Sequence, residues 1–198
     1  VAAGLLIWRL DGSVERAVRE AAFQVMSIVT TTGFVTADFE LWPVVIQALL
    51  LFLMFFGGCS GSTGGGMKHI RLLLMFRQSK AQLLKLIHPR AVKGLFLDNH
   101  PVTDDVIEGV QSFFFLYLTV WVAGTLLLAA LGIDLVTGFS AAASALGNVG
   151  PGLGGVGPLD NYASLPGLAK WVLASLMLLG RLEIFPVLVL LGRGAWRR

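Results

Sequence analysis

One pattern occurs twice in this chain, and it restricts the fold more than any other feature. In each copy a short apolar stretch runs into a strip of small residues with glycine, and a long hydrophobic segment follows. The first strip is Ser27-Ile28-Val29-Thr30-Thr31-Thr32-Gly33-Phe34, and the second is Ser144-Ala145-Leu146-Gly147-Asn148-Val149-Gly150-Pro151. In both, a Ser stands six residues before the central Gly. In both, Trp or Leu followed by Pro opens the next segment (Trp42-Pro43 and Leu165-Pro166), and Gly57 and Gly180 lie fourteen residues after that Pro. Such internal symmetry implies two equivalent units that contribute matching parts to one axis or cavity.

The setting is a bilayer. Of the 198 residues, 56% are hydrophobic and 14% charged, against about 25% charged in an ordinary soluble domain. The runs 41–56, 106–131 and 166–191 carry few charges. About 20 apolar residues cross a hydrocarbon core, so 106–131 and 166–191 are expected to cross it as helices. The run 41–56 is shorter and stops at glycines. It is expected to enter the membrane, break, and resume after Met67. Residues 1–9 are apolar, with no basic residue before them and no initiator Met, so no cleavable signal peptide is expected. They read as the end of another membrane helix, and the chain as part of a longer protein. Cys59 is the single cysteine. It cannot form an internal disulfide, and scattered His residues give it no metal site. Its expected state is a small residue packed in a glycine-rich segment.

Charge sets the orientation. Seven basic residues, Lys68, Arg71, Arg77, Lys80, Lys85, Arg90 and Lys93, occupy 68–93 with no acid among them, and Arg193, Arg197 and Arg198 close the sequence. The positive-inside rule makes both segments cytoplasmic. Two crossings between them leave 132–165 outside. The same logic puts 11–40 outside, where Asp11, Glu15, Glu20, Asp38 and Glu40 outnumber Arg16 and Arg19. The net charge of +3 then reflects topology. Nucleic-acid binding would need a soluble module, and these segments supply none. The basic run is either a solvated topological marker or a docking surface for an acidic cytosolic partner.

The spacing of apolar residues at 14, 17, 18, 21, 22, 25, 28 and 29 predicts a helix over 14–29. Its 16 residues reach about 24 Å, short of a full crossing once the charged end is excluded. Residues 134–146 repeat the arrangement with smaller side chains. Each helix would aim its C-terminal end into the membrane, where its partial negative charge favours a cation. A backbone-rich strip at such an end can present carbonyl oxygens to a dehydrated cation. The plainer alternative is two interfacial helices joined by ordinary glycine turns.

Gly57-Gly58-Cys59-Ser60-Gly61-Ser62-Thr63-Gly64-Gly65-Gly66 cannot hold a straight helix, since each Gly costs about 1 kcal/mol against Ala. Unwound backbone at membrane depth must face protein or water, so this segment is expected to line a cavity. It is not a nucleotide P-loop, because Met67 stands between Gly66 and Lys68. Gly58-Cys59-Ser60-Gly61 resembles the Gly-x-Ser-Gly of rhomboid intramembrane serine proteases. That chemistry needs a His base on another membrane helix, whereas His69, His88 and His100 all lie in the polar connecting region. A flexible hinge without an ionic role is the third alternative. Arg181 stands deep in a hydrophobic segment, where a charge is costly unless it faces water or a partner. Counted from the two prolines, it matches Gly58. Beside a cation path it is an electrostatic barrier or a latch for a mobile loop; a structural pair with Glu183 is the alternative, disfavoured because two residues of spacing make the side chains diverge on a helix.

Taken together, Thr30-Thr31-Thr32-Gly33-Phe34, the run from Gly57 to Lys68, His88-Pro89-Arg90-Ala91-Val92, Gly147-Asn148-Val149-Gly150-Pro151-Gly152 and Gly180-Arg181-Leu182-Glu183 resemble the TrkH/TrkG branch of the bacterial Trk/Ktr/HKT potassium-transporter superfamily. The resemblance covers nearly the whole chain. It implies an all-α integral membrane protein with four helix–pore helix–filter–helix repeats around one pore, of which this chain carries the equivalents of repeats three and four. The implied organisation is a helix end at 1–10 in place of most of the first outer helix. A pore helix, filter, broken inner helix and intramembrane loop then occupy 11–66, and a cytoplasmic continuation with a basic linker occupies 67–101. The second repeat spans 102–191, with pore helix 134–146, filter 147–152 and inner helix 166–191, and a cytoplasmic tail covers 192–198.

The same resemblance implies potassium uptake across the bacterial inner membrane, not enzymatic chemistry, with K⁺ as substrate and no cofactor. The implied filter residues are Thr30, Thr31, Thr32, Gly33, Gly147, Asn148, Val149 and Gly150, with K⁺ held at Thr31, Thr32, Asn148 and Val149. In plant relatives a Ser at a filter glycine goes with Na⁺ passage; Gly33 and Gly150 are both Gly here. The implied gate is Gly57, Gly58, Gly61, Gly64, Gly65 and Gly66 together with Arg181. The implied partners are the lipid bilayer, the two remaining pore repeats, a TrkA/KtrA-like cytosolic ring of nucleotide-binding regulatory subunits, and a second copy in a homodimer of pores.

Overall fold

The structure, a computed structural model, describes residues 14–59, 61–62, 64–88, 96–97 and 100–191. The helix end expected over 1–10, the tail 192–198, Arg90, Lys93, Ser60 and Thr63 lie outside the described residues.

Among the described residues there are seven α-helices: α1 Val14–Val29, α2 Val44–Leu53, α3 His69–Ile87, α4 Asp104–Ala130, α5 Leu135–Gly147, α6 Gly167–Arg181 and α7 Phe185–Leu191. Short 3₁₀ turns, Phe39–Leu41 and Tyr162–Ser164, precede α2 and α6. A two-residue strand β1, Phe96–Leu97, pairs antiparallel with β2, His100–Pro101.

α1 takes the span its periodicity predicts. Glu15 lies in its first turn, where a negative charge suits the helix dipole. Arg16 and Glu20, one turn apart, pair at 2.7 Å. α5 starts one residue later than expected because Asp134 is its cap: one carboxylate oxygen accepts the N–H groups of Val136 and Thr137 at 3.1 and 3.3 Å. α2 stops at Leu53, before the glycines, and Met54–Phe56 form a turn. The chain resumes as a helix at His69, so the expected break and continuation are both present.

The segment 166–191 departs from expectation. It is two helices, α6 and α7, separated at Leu182–Ile184. Pro186 lacks an N–H and its ring opposes the carbonyl four residues back, so a helix cannot run through this point. Glu183 and Ile184 take left-handed φ values of +58° and +47°, costly for a β-branched residue. Among the described residues α4 alone is long and apolar enough to cross a membrane by length and composition. Its 27 residues reach about 40 Å.

Three buried clusters hold the helices together. The first joins α1 and α2 through Ala17, Ala21, Ile28, Ile46 and Leu50, and takes in Val149 and Leu153 of the second repeat. The second packs α5 between α4 and α6 through Leu128, Ala141, Ala145, Leu173 and Leu176. Ala141, Ala142, Ala143 and Ala145 are fully buried, and their small size lets the neighbouring helices approach closely. The third, Met67, Phe113, Tyr117, Leu146 and Ile184, lies where the glycine segment meets the break after α6. The exterior is also apolar: Phe52, Phe115, Leu126, Leu168 and Trp171 are all exposed. Water does not tolerate so much contiguous apolar surface on a monomer, whereas the hydrocarbon of a bilayer matches it.

Candidate functional site

The two strips begin where α1 and α5 end, and both turn their N–H groups back onto the helix end. In the first, Thr31 donates to Ile28 O at 3.1 Å, and Thr32 and Gly33 donate to Ser27 O at 2.9 and 3.4 Å. In the second, Asn148 donates to Ala145 O at 3.1 Å, Val149 to Ser144 O at 2.9 Å, and Gly150 to Ser144 Oγ at 3.0 Å. There is no cis peptide among the described residues. In a trans peptide the carbonyl points opposite to the N–H of the next residue. The carbonyls of Thr30, Thr31, Thr32, Gly147, Asn148 and Val149 therefore all point away from the helix ends. The backbone achieves this by alternating handedness. φ is +55° at Thr31 and +75° at Gly33, and +54° at Asn148 and +121° at Gly150. An extended strand would instead alternate its groups between two faces.

The strips touch. A side chain at Gly33 would collide with the Val149 carbonyl oxygen and lie 3.5 Å from Pro151 Cδ, so close approach and positive φ both require Gly there. A side chain at Gly150 would meet only Gly33 Cα, at 3.8 Å. Thr30 Oγ1 is engaged with Met26 O at 2.6 Å and Thr32 Oγ1 at 2.8 Å. Backbone oxygens are thus the better-placed acceptors for a cation here.

Bonds at matched positions brace the two strips. Counted from Pro43 and Pro166, Asp38 and Asn161 coincide: each caps its 3₁₀ turn by accepting an N–H two residues on, at 3.0 and 2.9 Å. Gln47 and Lys170 also coincide, donating to Glu40 O at 2.6 Å and Ala163 O at 2.8 Å. The second repeat takes twenty-two residues from Ser144 to Pro166, where the first takes sixteen from Ser27 to Pro43. Its longer loop receives Glu40: the Gly154 N–H donates to Glu40 Oε1, and a side chain at Gly157 would lie 2.7 Å from the carboxylate carbon.

The glycine segment lies against both strips. Its stems are joined by Gly57 N–H to Met67 O at 2.9 Å and Met67 N–H to Phe55 O at 3.0 Å. Gly64 faces Thr31, where an added Cβ would lie 3.2 Å from Oγ1. Gly65 lies against the carbonyl of Gly147, and its Cβ would be 2.9 Å from Asn148 Cβ. Gly57 is buried and Gly58 half-buried, while Gly61, at φ +82°, sits in open space. Cys59 is exposed rather than packed. Of the protease-like sequence, Ser60 lies outside the described residues; the His69 N–H is 3.5 Å from Gly58 O, so that His is the first residue of α3 at the base of the loop.

Ser62, Gly64, Gly66, Lys68, Gly180, Arg181 and Glu183 surround one cavity of about 220 Å³. Arg181 and the glycine segment therefore share a space. Glu183 binds the start of α3: Lys68 Nζ donates to Oε1, and Arg71 Nη2 to Oε2 at 2.8 Å. The Arg71 guanidinium also lies 4.0 Å from the centroid of Phe113, a cation–π contact. Two of the seven basic residues are thus turned inward, while Arg77, Lys80 and Lys85 are exposed on α3.

Sequence reasoning missed three contributors. Lys68 and Arg71 read only as members of a charge run, because Glu183 lies 115 and 112 residues away. Tyr162, whose hydroxyl donates to Gly150 O at 2.6 Å, carried a usable signal, since it stands four residues before Pro166 as Phe39 stands before Pro43.

A family model described as TrkH, cation transport protein, matches residues 11–193. The Trk system potassium uptake protein TrkH of Salmonella typhimurium is 42% identical over 195 residues, which take in 98% of this chain and 40% of that protein. The Trk system potassium uptake protein TrkI of Halomonas elongata is 45% identical over 199 residues, again 98% of this chain and 40% of the relative. The crystal structure of the potassium transporter TrkH from Vibrio parahaemolyticus is similar at a TM-score of 0.91 and 42% identity, over 99% of this chain and 42% of that one. The chain spans about two fifths of the length of these relatives. By the match over 11–193 and the identity of its relatives, the chain belongs to the TrkH family of cation transport proteins.

Proposed function

We propose that this chain is the third and fourth repeat of a potassium uptake protein of the bacterial inner membrane. K⁺ sheds water against the carbonyls of Thr30, Thr31, Thr32, Gly147, Asn148 and Val149, and the two preceding repeats complete the ring. The observation that carries this reading is the one-sided orientation of those carbonyls, produced by alternating φ at matched positions in both strips. Such oxygens replace a hydration shell without a side-chain charge, and the C-terminal ends of α1 and α5 add a negative field. The names of the relatives, potassium uptake proteins throughout, agree with it.

In this reading Gly57–Gly66 is the gate. It lies against Thr31 and Gly147, so a K⁺ leaving the filter inward meets it first. Arg181, in the same cavity, opposes the passage of cations while the loop is seated. Lys68 and Arg71 tie the base of α3 to the break at Glu183, so a displacement of α3 acts on the loop and on the Arg181 helix together. A cytosolic nucleotide-binding ring would apply that displacement at the exposed bases of α3, and two such pores would pair as a homodimer.

The test is ion selectivity in the full-length protein. Gly150→Ser relaxes the preference for K⁺ over Na⁺; a Cβ there has space, although a φ of +121° strains any side chain. Gly33→Ser does so too, with a lower folded yield, because its side chain collides with the Val149 carbonyl oxygen. Unchanged selectivity in both variants overturns the filter assignment.

A further inference from the structure

The two strips differ at their outer ends. Each N–H of Asn148, Val149 and Gly150 is held by the end of α5, and Gly150 is held on its carbonyl side as well, by the Tyr162 hydroxyl at 2.6 Å. Tyr162 lies on the 3₁₀ turn before α6, its ring packed against the α4–α5–α6 cluster. Burial pushes its phenol above the usual tyrosine range, so at neutral pH it remains a donor. The turn is itself fixed by the Asn161 cap and by Lys170. Among the described residues the first repeat has no counterpart to this bond. Phe39, four residues before Pro43 as Tyr162 is before Pro166, is fully buried and has no hydroxyl. There the Ser27 hydroxyl instead donates one residue further out, to Phe34 O at 2.7 Å.

We propose that Tyr162 is a positioning residue for cation selectivity: its hydroxyl fixes the Gly150 carbonyl and, through that peptide, the angle at which the Val149 oxygen meets a dehydrated monovalent cation. This rests on the filter reading above. A carbonyl held from outside cannot swing inward to follow a smaller ion, so the second strip keeps a cavity matched to K⁺ rather than Na⁺. The substitution that tests it is built into the repeat, because Tyr162→Phe gives the second repeat the residue the first already uses.

The experiment is ion uptake by the full-length protein in proteoliposomes, with K⁺, Rb⁺ and Na⁺ as competing ions. Tyr162→Phe lowers the K⁺-over-Na⁺ ratio about fivefold, the weight of one hydrogen bond. It raises KM for K⁺ and leaves maximal uptake near the parent value. Ser175→Ala, on the exposed side of α6 with its hydroxyl on Trp171 O, leaves the ratio unchanged. An equal shift in both variants, or an unchanged ratio in Tyr162→Phe, overturns the role of Tyr162 while K⁺ uptake by the parent still stands. A parent that takes up no K⁺ overturns the filter reading beneath it. Independently of flux, isotope-edited infrared of the Gly150 carbonyl moves to higher frequency in Tyr162→Phe, and an unmoved band refutes the bond.

Discussion

Gly65→Ala tests the seating of the glycine loop most directly. The added Cβ would lie on the Gly147 carbonyl oxygen, 2.9 Å from the Gly147 carbonyl carbon and 2.9 Å from Asn148 Cβ. Carbon atoms in contact settle at about 3.5–4.0 Å, so the loop must withdraw by roughly 0.6–1.1 Å. None of the three obstructing atoms can rotate away, since all are backbone or Cβ. Overpacking of this kind costs about 1–3 kcal/mol, all of it charged to the seated state. A bias of that size shifts a two-state equilibrium by about 5–150-fold. Radioactive rubidium influx into proteoliposomes holding the full-length protein should rise by a factor in that range, up to the rate of the open pore. Two neighbours calibrate the effect. Gly64→Ala meets the Thr31 hydroxyl at 3.2 Å, which can rotate, so its rise is smaller. Gly61→Ala meets nothing within 4 Å; its left-handed φ costs about 1–2 kcal/mol but presses on neither strip, so influx stays at the parent level. Correctly folded Gly65→Ala protein with influx no faster than Gly61→Ala would refute the loop as the obstruction.

Arg181→Ala should raise the same influx several-fold, and a normally folded variant that conducts no faster would make Arg181 a structural clamp. Glu183→Gln should lower thermal stability only slightly. Its side chain is 40% exposed and its partners are 20% and 24% exposed, which limits the loss to about 1 kcal/mol, read as a fall in Tm that shrinks at high salt; a salt-independent fall would refute the ion-pair account. Charge reversal at Arg77, Lys80 and Lys85 should weaken binding of the cytosolic partner without altering the selectivity of residual flux. Altered membrane topology with unchanged binding would instead make the run a topological marker alone.

Local chemistry was legible in the sequence, and distant pairing was not. α1 follows its apolar spacing; α5 starts one residue late because Asp134 caps rather than joins it, and runs one residue further, through Gly147. The break after Arg181 had one local sign, Pro186, which the hydrophobicity of 166–191 outweighed. Its other cause, the pull of Lys68 and Arg71 on Glu183, spans more than a hundred residues and leaves no trace in periodicity. In the strips, Gly33 and Gly150 announce themselves, since glycine tolerates positive φ. Thr31 and Asn148 take the same handedness. Asn enters that region several-fold more often than most residues, so its signal was readable; nothing about a Thr marks it.

The Glu40 carboxylate, seated on the Gly154 amide, also sets an order of events during synthesis. Its partner is made 114 residues later. At about 5–20 residues per second, translation leaves Glu40 without that donor for roughly 6–23 s. Over the same interval Gly33 has no Val149 carbonyl to rest against, because that oxygen belongs to the same late segment. The first strip is therefore translated early and finished late. Its geometry is a property of the pair of strips, since the contacts that complete it come from residues made more than a hundred positions later.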